Sequence, residues 1–162
     1  ERAGGREPTP NRYGAYLAGR YAASEHDASS AALFYDKALK FDPGNPELLE
    51  RAIMSEVAEG DLDGALAAYR EAIRLSEGKP IVFRLLDLGS DKTLEYFPLP
   101  EVVNPALGLR GTRLLLAHPE ILRTQLRAIL RVSAAHPVAV LLPMIGGVDE
   151  VRAVLRRQLS LG

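Results

Sequence analysis

The sequence contains no cysteine and no tryptophan. The first absence excludes disulfides, thiolate-bound zinc and cysteine nucleophiles within these 162 residues, and it suits a reducing cytosol. Long hydrophobic runs are missing too. None approaches the roughly 20 apolar residues that a membrane-crossing helix needs, and no signal peptide is visible. The first ten residues are polar, with Gly4, Gly5, Pro8 and Pro10, and are expected to form a loose arm. An opening on Glu1 rather than Met is expected of a processed, trimmed or engineered chain. Positive charge is not in surplus either: Lys and Arg number 20 against 21 Asp and Glu, a net charge of -1. Phosphate backbones demand a cationic surface, so nucleic acid is not expected as a partner. A cytoplasmic chain without a membrane partner is the expectation.

Other familiar signatures are missing. His26 falls in a turn, and His118-Pro119 and His136-Pro137 fall at element boundaries. No pair of these has metal-ligand or triad spacing, so no metal and no cofactor are expected. Gly89, Gly146 and Gly147 do not build a phosphate-loop signature.

What is present is enough apolar material for a core, 47% of the residues, and an uneven charge. Residues 1–79 hold 10 basic and 14 acidic side chains, whereas residues 80–162 hold 10 basic and 7 acidic. In the second half Lys92 is the single lysine and the remaining cations are arginines. Arginine presents a planar fork suited to carboxylate and phosphate. An anionic ligand would therefore be sought there, although most such arginines are expected to lie on solvated helix faces.

The first half repeats itself. Ala31, Tyr35 and Ala38 recur 34 residues later as Ala65, Tyr69 and Ala72, and His26-Asp27 recurs as Gly60-Asp61. A 34-residue period belongs to helix–turn–helix units. Helices are predicted at about 13–23, 29–41, 46–58 and 62–75. The second is stopped by Asp42-Pro43-Gly44-Asn45-Pro46, and Pro46 suits the first turn of the third. Gly19 and Ala31 allow close helix approach, and Tyr35 and Tyr69 are expected to fill space between hairpins. With Gly19, Ala31, Tyr35, Ala38 and Pro43 in place, the stretch resembles the tetratricopeptide repeat. The second unit departs from it at Ile53 and Glu77, the positions equivalent to Gly19 and Pro43. The resemblance implies a groove for a peptide or protein, lined by Asn11, Tyr16, Arg20 and Arg51. The competing reading makes these helices a packing platform only, because two units form a short array.

The second half changes period. Residues 80–88 form a near-continuous apolar run, the mark of a strand buried on both faces. A turn at Gly89–Lys92 and a proline-containing loop at 93–105 follow. A helix is predicted at about 119–134, a strand at 138–142, a turn at Gly146-Gly147 and a last helix at 148–159. The order strand, helix, strand, helix implies parallel strands. The expected organisation is an arm at 1–10, repeats at 11–78 and a βαβα unit at 79–162. The fold class is thus mixed α/β.

Four stretches are distinctive: Phe83-Arg84-Leu85-Leu86-Asp87-Leu88-Gly89-Ser90-Asp91-Lys92, then Asn104-Pro105-Ala106-Leu107-Gly108-Leu109-Arg110-Gly111-Thr112-Arg113, then the helix from Ile121 to Ala134, then Leu141-Leu142-Pro143-Met144-Ile145 followed by Asp149-Glu150-Val151-Arg152. In this order they resemble the phosphoenolpyruvate-binding (β/α)8 barrel of enzyme I, the phosphoenolpyruvate–protein phosphotransferase family. The resemblance implies that Arg84 and Arg110 grip phosphate and carboxylate, with Arg113 nearby, and that Asp87 and Lys92 hold the loop. Leu85 stands where the family has threonine and Ser90 where it has glycine, and Leu85 is expected to remove a phosphate-facing hydroxyl. Only about two of eight strands are present. The family's magnesium ligands, its protonating cysteine and its phosphoryl-accepting histidine have no counterpart here. The expectation is therefore no enzyme but a structural or interaction protein, a natural or engineered fusion of repeat and truncated barrel. The alternative is a residual phosphoenolpyruvate- or anion-binding module, and a remote third is a phosphotransferase component completed in trans. Open sheet edges would also favour self-association.

Overall fold

The computed structural model describes residues 11–87 and 109–159. The expected arm at 1–10, the turn and loop at 89–105 and the first part of the Asn104–Arg113 stretch lie outside the described residues. Four helices come first: α1 (Arg12–Ser24), α2 (Ala28–Phe41), α3 (Pro46–Glu59) and α4 (Leu62–Leu75). Each starts at a side chain that caps it. Asn11 accepts from Gly14 N at 2.8 Å, Asp27 from Ser30 N at 2.9 Å, Asn45 from Glu47 N at 3.0 Å, and Asp61 from Asp63 N at 3.0 Å. These oxygens satisfy donors that the first helical turn leaves without partners, each worth about 1 kcal/mol. The caps follow the 34-residue period, Asn11 with Asn45 and Asp27 with Asp61. At the end of α3, Gly60 takes the left-handed conformation, φ 83°, that only glycine adopts without strain.

The first core cluster is built from small residues around one ring. Ala15, Ala22, Ala31, Ala38, Leu48 and Ala52 surround Tyr35. Gly19 is needed there, since a Cβ at that position would sit 2.8 Å from the Tyr35 ring. The close approach expected of Gly19 and Ala31 is thus where the sequence placed it.

The chain then forms a parallel two-stranded sheet, β1 (Ile81–Arg84) beside β2 (Val138–Leu141), with Ile81 opposite Val138 and Arg84 opposite Leu141. Leu85 N extends the ladder to Leu141 O at 2.9 Å. Helices α5 (Thr112–Ala117), α6 (Pro119–Ser133) and α7 (Val148–Leu159) complete the described architecture. The strand predicted over 80–88 is shorter than its apolar run, and it is not buried on both faces. Phe83 is buried whereas Val82 is 58% exposed. Side chains alternate across a strand: one face of β1 packs on helices, and no described element covers the other. The short helix α5 was not predicted.

The second core cluster joins the two halves. Val57, Ala65, Leu66 and Tyr69 pack in one continuous body with Phe83, Leu85, Leu86, Leu114, Leu115, Ile121, Leu122, Leu126, Ile129 and Val154. Tyr69 meets Phe83 edge-on, centroids 4.6 Å apart, a favoured ring geometry. Its position on α4 therefore fills space against the sheet. Buried Gln125 on α6 completes the junction. Its Oε1 accepts from Leu86 N at 3.0 Å, and its Nε2 donates to Tyr69 Oη at 2.9 Å and to Arg84 O at 3.4 Å.

Candidate functional site

The arginines singled out in the second half gather at the C-terminal ends of the two strands. Arg84 closes β1, and the chain continues through Leu85 and Leu86 to Asp87. Asp87 faces two guanidinium groups, Arg110 Nε at 3.3 Å from Oδ1 and Arg84 Nη1 at 4.0 Å from Oδ2. The Asp87 and Arg110 side chains are nearly buried, at 13% and 11% exposed, whereas Arg84 is 55% exposed. Burial of the Asp87–Arg110 pair holds it in one geometry, and Arg84 reaches toward solvent from the same corner.

Backbone at the strand ends fixes this corner. Thr112, fully buried, donates through Oγ1 to Pro143 O at 2.7 Å and through its N–H to the same oxygen at 3.2 Å. That ties the start of α5 to the end of β2. Gly111 lies between them with φ 50°, where a Cβ would come 3.0 Å from Pro143 O and 3.2 Å from Asp87 Oδ1. Arg113 turns to the β2 side. Its Nη1 lies 3.4 Å from Met144 O and 3.6 Å from Glu150 Oε1. Glu150, in the first turn of α7, also accepts from Gly146 N at 2.7 Å. Arg84 and Arg110 thus share one carboxylate, and Arg113 is held one strand over by another.

Two details were not legible in the sequence. Glu150 was not singled out, although an acidic residue in the first turn of a helix just after Gly146-Gly147 is a signal for loop fixation. At Leu85 the side chain is fully buried in the core, and with Arg84 it lines one cavity beside β1. Lys92 and Ser90 lie outside the described residues.

The residues expected to line a peptide groove are placed unevenly. Tyr16 Oη donates to Glu47 Oε1 at 3.2 Å, and Arg51 donates to the same oxygen from Nη2 at 3.0 Å. The Arg51 guanidinium lies 5.8 Å from the Tyr16 ring centroid. The Arg51 hydrogen bond, then that of Tyr16, holds the Glu47 carboxyl below its ordinary range. A cavity of about 320 Å³ beside them is lined by Tyr13, Tyr16, Asp42, Asn45, Glu47 and Leu48. Arg20 is exposed on α1, and Asn11 is engaged in capping α1. Glu47 was missed, although its i, i+4 spacing to Arg51 marks a helical ion pair. Among the described residues no cluster of three or more His, Cys, Asp or Glu could hold a metal ion.

The parallel strands carry Arg84, Arg110 and Arg113 near their C-terminal ends, the place where parallel sheets of α/β proteins commonly bind ligands. The PEP-utilising enzyme, PEP-binding domain family matches residues 45–160, and the chain belongs to that family. It is 48% identical over 85 residues to the phosphoenolpyruvate-protein phosphotransferase of Listeria monocytogenes, covering 52% of this chain and 15% of that protein. It is 46% identical over 90 residues to the protein of the same name from Latilactobacillus sakei, covering 56% of this chain and 16% of that one. The corresponding protein of Priestia megaterium is 47% identical over 85 residues, 52% of this chain and 15% of the relative. The chain thus spans about one-sixth of the length of these relatives.

These similarities correct one expectation. The chain was expected not to be an enzyme, but its relatives are named as phosphotransferases, which are enzymes. The expectation rested on groups missing from 162 residues, and a span of 15% of a relative is silent on groups carried elsewhere. The family match also begins at residue 45 and so takes in α3 and α4 as well as the sheet. Among the described residues no helix is long and apolar enough to cross a membrane.

Proposed function

We propose that this chain contributes the strand-end part of a phosphoenolpyruvate-binding site, with Arg84, Arg110 and Arg113 as its cationic groups. The observation that supports this most is the meeting of Arg84 and Arg110, distant in sequence, at the single carboxylate of Asp87. Guanidinium forks suit a small ligand that carries both phosphate and carboxylate. In this reading Asp87 orients Arg110 from behind and Arg84 supplies the solvent-facing contact. The Glu150–Arg113 pair sets the far wall. The phosphotransferase activity in the relatives' names belongs to much longer proteins, and for this chain the proposal covers binding alone. Among the described residues each strand has one neighbour, which leaves room for further strands, of this polypeptide or of a second copy.

The test is a calorimetric titration with phosphoenolpyruvate, with inorganic phosphate and pyruvate run separately. Saturable binding of phosphoenolpyruvate, lost in Arg84→Ala/Arg110→Ala, is the expected result. Equal affinity in the parent chain and the double variant would remove the two arginines from the site.

A second reading concerns α1 to α4 as a tetratricopeptide-like platform with a peptide groove. It is favoured by the Tyr16–Glu47–Arg51 cluster at the edge of a cavity. Because Arg51 is already matched by Glu47, this groove would suit a polar or basic peptide better than an acidic one.

A further inference from the structure

A cavity of about 240 Å³ lies between α3, α4, β1 and the residues that follow β1. Its interior is apolar, with Leu49, Ile53 and Val57 from α3 lining it together with Phe83 and Leu85. The 34-residue period breaks at this wall. Leu49, Ile53 and Val57 stand where the first unit has Ala15, Gly19 and Ala23, the small residues that pack around Tyr35. Tyr69, the counterpart of Tyr35, turns instead to Phe83 and Gln125. Large apolar side chains therefore line a space here, where the first hairpin has small ones against a ring. Three polar groups share the wall. Tyr69, 2% exposed, accepts through Oη from Gln125, and its own hydroxyl proton has no acceptor among the described residues. A buried donor left in this state calls for a partner. Arg84 is held only loosely, 4.0 Å from Asp87 Oδ2. Glu50 is exposed, and no ion pair or hydrogen bond engages it among the described residues.

We infer that this cavity is a binding site for a small α-amino acid with an apolar side chain, of which leucine is the type. The side chain fills the space among Leu49, Ile53, Val57 and Phe83. The carboxylate accepts from the Arg84 guanidinium and the Tyr69 hydroxyl, and the ammonium group donates to Glu50. Both ends are charge-assisted contacts. The volume lies below the roughly 300–1,000 Å³ of sites for drug-sized ligands, which limits the occupant to a small metabolite. Other small amphiphiles use fewer of these groups. A fatty acid sets its negative charge near Glu50 and leaves that carboxylate unmatched. An alkylamine leaves Arg84 and the Tyr69 proton without a partner. The inference goes beyond the strand-end site for phosphoenolpyruvate, with which the cavity shares Arg84 and Asp87, because its apolar wall, Glu50 and the Tyr69 hydroxyl have no part in that site.

The test is equilibrium dialysis of the full chain against isotope-labelled L-leucine, isocaproate and isopentylamine. The last two keep the apolar body of leucine and lose its ammonium and its carboxylate respectively. Saturable binding of L-leucine is expected, at least about tenfold tighter than either analogue, because each lacks one charged contact. Glu50→Gln lies at an exposed position outside the strand-end site, so the fold is expected to tolerate it. It is expected to weaken L-leucine at least about tenfold and not to weaken isocaproate. That contrast separates loss of the ammonium contact from loss of the fold. Absence of saturable L-leucine binding would overturn the proposal. So would equal L-leucine affinity in the parent and Glu50→Gln, or isocaproate binding as tightly as L-leucine, which would make the occupant a simple anion.

Discussion

Replacing Gln125 with methionine should be among the most damaging single changes in this protein, although it keeps the size of the side chain. Gln125 serves three elements at once. It accepts from Leu86 N beyond β1 and donates to Tyr69 Oη on α4, while its own backbone belongs to α6. Leu86 and Tyr69 are 3% and 2% exposed, and both line a cavity of about 240 Å³, so any water that replaces the lost partner must be drawn into that cavity. Each orphaned buried polar group costs about 1–3 kcal/mol, and a volume-conserving swap adds little for the cavity. The expected loss is about 3 kcal/mol, a large share of the stability of a small domain. Tyr69→Phe should cost about 1 kcal/mol, because Gln125 keeps its bond to Leu86 N. In the double variant the Tyr69 hydroxyl no longer lacks a partner, so the combined loss should fall short of the sum. Urea unfolding followed by far-ultraviolet circular dichroism measures all three. A loss below about 0.5 kcal/mol for Gln125→Met, or strict additivity, would refute this account of the junction.

Three further outcomes are expected. Glu56, 6% exposed, is pushed up to about 7 by burial first and then by Asp36 on α2 and Asp61 and Glu59 near the turn, with Lys40 close to Asp36. A raised carboxyl stabilises the fold fully below its ordinary value of 4.5 and loses that contribution as pH rises through about 7. Glu56→Gln should therefore flatten stability against pH over that window, and an unchanged slope in chemical denaturation would count against it. Gly19→Ala should destabilise by about 1–3 kcal/mol despite alanine's better helix propensity, because the new methyl would meet the Tyr35 ring at 2.8 Å. A thermal midpoint equal to or above that of the parent would mean that the ring yields freely. Gly111→Ala places a Cβ 3.0 Å from Pro143 O at φ 50°, so both the Thr112–Pro143 tie and anion binding should weaken, as thermal melting and titration would record.

The helical half was largely legible because its boundaries are chemical events: Asn or Asp at each start, Pro46 in the first turn of α3, Gly60 after its end. The four predicted helices agree with the structure to within a residue or so at each end. The strand ends were less legible. An apolar run from 80 to 88 cannot say that only Ile81–Arg84 enter the ladder, because Leu85 and Leu86 are apolar for the core rather than for pairing. Period alone likewise cannot divide α4 between two roles. Ala65 and Tyr69 satisfy the 34-residue pattern and also pack on the sheet through Phe83. The arginines were found through resemblance, whereas the pairing of Glu150 with Arg113 is a long-range contact that its local signal, an acidic residue in a first helical turn, does not encode. The inference from missing groups to missing catalysis failed because the chain spans only part of its relatives.

The central claim is that Arg84, Asp87, Arg110 and Arg113 form one anion site at the strand ends. It is tested most directly by amide and guanidinium nuclear magnetic resonance on labelled protein during addition of phosphoenolpyruvate. Saturable shifts concentrated at these four residues and at Met144, and absent from α1 and α2, are the predicted result. Shifts centred on the Tyr16–Arg51 cluster, or no saturable shift at the strand ends, would contradict the claim.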